Sequence, residues 1–269
     1  MKKSLPQPQT EICTSDVDSI TVRGKDLSEE LIGKVDFIEY FYFLLTGKEP
    51  TQEQLFFLNA TLVAITEHGL VPSNQVARMT YASAPESFQA AIAAGLMGCG
   101  SVVFGSSQNC GELLAQLIEQ ERSGAGTPDR IALDKLKTLR ANKKPVPGFG
   151  HPQHINGDPR AQKLLALAKT HQVAGPHVQM LETLEKHIPE IYQRQLPINV
   201  SGAIPAVMLD VGFPPEALKG IPLLARTAGL IAHVYEEMHR PIGFLLSKHA
   251  NQSAEYIGPD ANEQKGGSK

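Results

Sequence analysis

Pro145-Val146-Pro147-Gly148-Phe149-Gly150-His151, running on to Gly157-Asp158-Pro159-Arg160, decides how this chain reads. Two prolines stiffen the approach, and two glycines flanking a phenylalanine let backbone come close to a ligand. Asp158 suits a helix N-cap and Pro159 the first helical turn. A glycine-rich loop thus delivers a histidine, and a helix start delivers an arginine, to one neighbourhood. The histidine can move protons near neutral pH. The arginine can hold a carboxylate with two hydrogen bonds. The competing reading is a solvated Gly/Pro turn, but loops that combine these residues often carry function.

Upstream and downstream of this stretch the chain reads as helix after helix. Asp36 to Thr46 is apolar on nearly all sides and stops at Gly47. Thr51 reads as an N-cap, and the helix behind it sets Leu55, Leu58, Leu62 and Ile65 on one face up to about Glu67. His68 then stands at a break before Gly69 and Pro72, either as a C-terminal dipole partner or as a site residue. Residues 74–103 are rich in alanine and glycine, which lets helices approach closely within a core or between subunits. Further helices are expected over 111–123, 128–143, from Arg160, from about Pro176 to Arg194, from Pro197 to Asp210, and from Ile221 to Met238. Ile20–Leu27 reads as a short extended or turn segment. Strand-like alternation is scarce, so the fold class expected is all-α.

Composition excludes several classes. The 269 residues are 42% hydrophobic and 20% charged, an ordinary globular mix able to bury a core. A net charge of -3 gives no electrostatic footprint for nucleic acid. Cys13, Cys99 and Cys110 are too few and scattered for a disulfide framework or closed zinc site. No apolar run reaches membrane-spanning length, and Met1–Pro8 lacks the apolar core of a secretory signal, so a cytoplasmic protein with no membrane partner is expected. There is no dinucleotide fingerprint or Walker loop.

The Pro-Gly-Phe-Gly-His … Asp-Pro-Arg segment resembles that of the citrate synthase family. The resemblance is nearest to its short citryl-CoA lyases and to the carboxy-terminal module of ATP-citrate lyase. Arg23-Gly24-Lys25-Asp26-Leu27, Glu67-His68, Asn199-Val200-Ser201 and Arg226 before Gly229-Leu230-Ile231-Ala232-His233 extend it over about residues 15–259. It implies a large helical domain plus a small helical subdomain. That places a flexible arm at 1–15, the family domain at 16–259 with its small subdomain at roughly 105–200, and a disordered tail at 260–269. It also implies an active form that is at least a homodimer.

The resemblance further implies chemistry: a carbon–carbon bond made or broken between acetyl-CoA and oxaloacetate, or in the lyases cleavage of citryl-CoA. No tightly bound cofactor and no metal is called for; the coenzyme A thioester and a dicarboxylate are substrates. His68 would donate to the thioester oxygen as the enolate forms. His151 would exchange a proton with the hydroxyl of the joined product. Arg160 and Arg226 would hold carboxylates, and Pro147, Gly148, Phe149 and Gly150 would lie along the CoA arm. Lys137, Arg140, Lys143 and Lys144 form either a solvated helix face or a basic rim for CoA phosphates. Three departures stand out. The family's catalytic aspartate is here Ser201, whose hydroxyl cannot take a methyl proton unaided. A further clamp arginine is missing around Asn251–Tyr256, and Phe104 stands near the place of a family histidine. Another base, such as a bound water or Glu236, or a related 3-hydroxyacyl-CoA, or a non-catalytic CoA-binding paralogue would each answer to Ser201.

Overall fold

The computed structural model describes residues 8–100, 105–151 and 153–258. Phe104 and the expected tail at 260–269 lie outside them. Helix is the dominant regular structure among the described residues, and the all-α expectation holds. The exception is a three-stranded antiparallel sheet, β1 (Cys13–Ser15), β2 (Ile20–Val22) and β3 (Lys25–Asp26), in the order β1-β2-β3. It uses the end of the expected arm and the expected turn segment. Arg23 and Gly24, at φ +50° and +84°, form the two-residue hairpin loop whose positive φ pair matches strand twist. Arg23 stays there because Nε and Nη2 donate to the Leu44 carbonyl at 3.1 and 2.9 Å.

Eleven α-helices follow among the described residues: α1 (Phe37–Thr46), α2 (Gln52–Thr66), α3 (Pro72–Ser83), α4 (Phe88–Met97), α5 (Gly105–Arg122) and α6 (Pro128–Ala141), then α7 (Pro159–Thr170), α8 (Pro176–Tyr192), α9 (Val200–Asp210), α10 (Gly220–His239) and α11 (Gly243–Ser253). Gly47 ends α1 in the left-handed conformation, as expected. Thr51 caps α2 in a reciprocal capping box with Gln54. α5 begins at Gly105, well before the expected 111.

The chain forms two compact units. One comprises the described parts of Met1–Glu67 and Gly100–Ala225, and the segment expected as a small subdomain, 105–200, lies wholly within it. Its core is organised on α9, whose residues from Gly202 to Leu209 are all buried, packed against α2, α5, α7 and α8. Asp210, at the end of α9, accepts from the N–H groups of Gly175, His177 and Val178 at 2.8–3.0 Å and so caps α8. The other unit comprises the described parts of His68–Cys99 and Arg226–Lys269. The small residues of α3 and α4 are used inside it: Ala77 and Ala91 are fully buried with Leu230 and Val234. A Cβ on Gly95 would lie 2.7 Å from Leu230 Cδ2. Arg78, 3% exposed, joins α3 to α10 by ion pairs to Glu236 and Glu237, each 2.6 Å.

Candidate active site

In the first unit the glycine-rich loop is clipped onto the entrance to α9. Gly150 N donates to the Pro197 carbonyl at 2.8 Å and Asn199 N to the Gly148 carbonyl at 3.0 Å, with Phe149 bridged antiparallel to Ile198. Gly148 and Gly150 both need positive φ, at +86° and +74°, for the chain to make this shape. Asn199 is the N-cap residue of α9 but does not cap it with its side chain. Its Nδ2 donates instead to the Gly150 carbonyl at 2.6 Å. Ser106 Oγ accepts from Gly148 N at 3.3 Å. Phe149, expected beside CoA, buries its ring in the core with Val146 and leaves the glycines and Pro147 to present backbone. Cys110 lies under the loop, fully buried, and burial pushes its thiol up to about 12.

This clip presents His151, half-buried, just beyond Gly150. The His151 Nδ1 accepts from the N–H groups of Gln153 and His154, both at 3.1 Å. Two donors aimed at Nδ1 place the ring proton of the neutral imidazole on Nε2. The His154 ring lies 4.5 Å from that of His151. Ser201 sits in the first turn of α9, one residue beyond Val200 and two beyond Asn199, and takes no hydrogen-bond partner among the described residues. The loop carrying His151 and the helix start carrying Ser201 are thus one interlocked piece.

Arg160 enters the same piece through Asp158. Asp158 caps α7 by accepting from Arg160 N at 3.0 Å, as its sequence position predicts. The same carboxylate accepts from Arg160 Nε and Nη2 at 3.0 and 2.8 Å and from Val200 N at 2.9 Å. Burial pushes the Asp158 carboxyl up, but the Arg160 guanidinium and the Val200 N–H outweigh it and hold the group below its ordinary value.

The second unit holds His68 and Arg226. Arg226 is 3% exposed, and its Nη1 donates to Asn74 Oδ1 at 2.9 Å. Asn74, fully buried on α3, donates through Nδ2 to the Gly69 carbonyl at 2.6 Å and lies 2.8 Å from His233 Nε2. The turn that follows His68 is therefore tied to Arg226 and His233 through one amide. Glu236, weighed as a substitute base, is paired to Arg78, whose hydrogen bond and charge hold its carboxyl below the ordinary value. That pairing makes it a weaker base and removes it from consideration.

Asn74 and Asn199 do not stand out in the sequence as site-building residues. An asparagine just before an apolar helix signals a cap, and nothing local says that its amide serves a loop 49 residues away.

The match to known proteins follows this arrangement. The family model "Citrate synthase, C-terminal domain" matches residues 56–243. The chain belongs to the citrate synthase family. Citryl-CoA lyase from Hydrogenobacter thermophilus has 30% sequence identity, covering 94% of this chain and 95% of that one, with a TM-score of 0.79. ATP citrate lyase from Methanothrix soehngenii, solved in complex with citrate and coenzyme A, shares the fold at 20% identity and a TM-score of 0.75, over 96% of this chain and 43% of that one. Citrate synthase 2 of Bacillus subtilis (strain 168) is 25% identical over 82% of this chain and 56% of its own length. The chain spans a little over half the length of such curated citrate synthases. No described helix is long and apolar enough to cross a membrane.

Proposed function

We propose that this chain is a CoA-thioester carbon–carbon lyase or synthase of citryl-CoA lyase type. It would interconvert citryl-CoA with acetyl-CoA and oxaloacetate, or act on a related 3-hydroxyacyl-CoA. The observation that carries the reading is the end-to-end likeness to a citryl-CoA lyase at 30% identity, with nearly all of both chains covered. The first unit is consistent with it: a histidine whose Nδ1 is held by two backbone N–H groups, on a loop locked to the helix start that carries Ser201.

In this reading the Nε2–H of His151 donates to the hydroxyl oxygen of the 3-hydroxyacyl-CoA, and the hydroxyl proton passes to water as the carbon–carbon bond breaks and a carbonyl forms. The electrons of that bond pass to the acetyl fragment as an enolate. His68 donates a hydrogen bond to the thioester oxygen, where the charge gathers. Arg160 and Arg226 hold carboxylates of the dicarboxylate product, and the backbone of 147–150 lies along the CoA arm. With Ser201 in place of a carboxylate and Glu236 engaged by Arg78, a water bound beside Ser201 carries the proton at the methyl carbon. No tightly bound cofactor takes part.

Ser201 also favours a second reading, a CoA-binding paralogue without turnover. Incubation with citryl-CoA and a panel of 3-hydroxyacyl-CoAs, read by mass spectrometry, separates the two. Release of acetyl-CoA and oxaloacetate is expected. CoA binding without cleavage of any thioester establishes the second reading instead.

The proposal includes self-association. Ile231, Tyr235 and Met238 are exposed along one face of α10, and Phe244 and Leu245 are exposed on α11. Exposed apolar side chains of this kind suit a second copy of the chain. A monomer by light scattering at micromolar concentration would count against it.

A further inference from the structure

We infer that Asp158 is a positioning residue that aims the Arg160 guanidinium at a substrate carboxylate and fixes that aim relative to Ser201. The inference rests on the proposed reading of Arg160 as a carboxylate clamp.

A guanidinium offers two forks, one from Nε and Nη2 along its side and one from Nη1 and Nη2 at its end. Asp158 occupies the side fork with both oxygens, Oδ1 to Nε at 3.0 Å and Oδ2 to Nη2 at 2.8 Å. The end fork has no partner among the described residues. The Arg160 side chain is 20% exposed and that of Asp158 is not exposed at all. The occupied edge is therefore the inner one, and the end fork is the edge left to meet a second carboxylate.

Asp158 cannot swing to release this grip. Its Oδ1 also accepts from Arg160 N and its Oδ2 from Val200 N, so each oxygen takes two hydrogen bonds. Pro159, between the two partners, fixes φ at the helix start. Val200 N is the first amide of α9, and Ser201 is the next residue. One carboxylate thus references both the fork and the serine to the same frame. A clamp held in its binding orientation loses less side-chain freedom when ligand arrives.

The opposite relation is conceivable from the same bonds: Asp158 would compete with the substrate for Arg160. Binding of oxaloacetate to the whole protein, followed by calorimetry with pyruvate as a one-carboxylate control, distinguishes them. Asp158→Asn keeps the side-chain shape and removes the charge. We expect it to weaken oxaloacetate binding ~3–10-fold, the range for one side chain that must now be ordered on binding. Pyruvate should be affected less, and in turnover KM should rise by more than kcat falls. Tighter or unchanged binding in the folded variant overturns the inference while leaving the clamp role of Arg160 standing. A merely structural Asp158 would lower the unfolding midpoint and leave both constants alone. Arg160→Lys serves if Asp158→Asn does not fold, because it keeps the charge and the backbone caps but has no second fork. It should lose the same ~3–10-fold, and wild-type affinity in Arg160→Lys overturns the clamp reading and this inference together. Wild-type protein that binds no dicarboxylate overturns the clamp reading and this inference together.

Discussion

A Cβ placed on Gly202 would lie 2.6 Å from the Gly148 carbonyl oxygen, and one placed on Gly148 would lie 2.7 Å from the Gly202 Cα, so these two glycines pack backbone on backbone. The contact sets how closely the loop carrying His151 approaches the helix carrying Ser201. Neither partner can yield by turning a side chain.

Gly202→Ala is therefore expected to push the loop away. Overpacking of this kind costs about 1–3 kcal/mol, and turnover should fall further than stability because His151 moves with the loop. Gly148→Ala should be worse, since it adds a left-handed residue, about 1–2 kcal/mol, to the clash with the Cys110 Sγ at 2.7 Å. Gly124, at φ +77° in open space, is the control. Its alanine variant should show a conformational cost alone and wild-type turnover. Urea midpoints and initial rates measure both effects, and normal turnover in folded Gly202→Ala would refute the account.

His151 contributes through two nitrogens that can be separated. Nδ1 accepts the backbone N–H groups of Gln153 and His154, and in the proposed reading Nε2–H is the group that meets the substrate oxygen. Asparagine places its carbonyl oxygen near the Nδ1 position but has nothing at Nε2. His151→Asn should keep the urea midpoint close to that of wild type while losing about 10²–10³-fold in turnover, the usual worth of one donor to a developing oxyanion. His151→Ala should lose the same turnover. If His151→Asn cleaves citryl-CoA at the wild-type rate, another group serves the hydroxyl oxygen.

Most of the helical architecture was legible because caps and apolar faces are local signals: Gly47 after α1, Thr51 before α2, Asp158-Pro159 before α7. The start of α5 at Gly105 was not, since Gly-Ser-Ser reads as a turn and the helix is held by tertiary packing on α9. Of the site, the sequence showed His151 and the loop glycines. It did not show that Phe149 anchors the loop in the core, that Asn199 holds Gly150, or that Arg160 is gripped by its own N-cap residue. These are contacts whose partners lie on other elements, or whose geometry depends on rotamers, and periodicity carries no record of them.

Asp158 should also leave a mark on acid stability. Its carboxyl is held below the ordinary value in the folded protein, chiefly against burial, by Arg160 and Val200 N–H. A lowered folded value means that the ionised form stabilises the fold at pH above the unfolded value, about 3.9. That contribution is lost as pH falls from there through the folded value. Asp158→Asn should be less stable than wild type at neutral pH, and the gap should narrow below about pH 4. Other carboxylates held low, such as Asp129 and Glu49, titrate alike in both proteins and cancel in the difference. A gap that stays constant from pH 7 to pH 3 would show that Asp158 acts by shape and not by charge.

Ser201 offers the sharpest test of the proposed chemistry. It lies in the first turn of α9, where a carboxylate is favoured by the helix dipole by about 0.3–1 kcal/mol, so Ser201→Asp should fold at least as well as wild type. The residue is half-buried beside the clipped loop, and its hydroxyl takes no partner among the described residues. The new carboxylate would thus not displace an existing bond. It supplies a base where the wild-type chain has an alcohol that stays protonated at neutral pH. Abstraction of a proton from the acetyl-CoA methyl group should then accelerate, and the label exchanges with solvent whether or not oxaloacetate is present. Proton NMR of acetyl-CoA in D₂O, with wild type and variant side by side, reads this as faster loss of the methyl signal. His151→Asn should leave the gain in place, because His151 serves the other carbonyl. A folded Ser201→Asp with no gain in exchange would mean that the acetyl methyl does not sit at the start of α9, and the lyase reading would lose its mechanistic support.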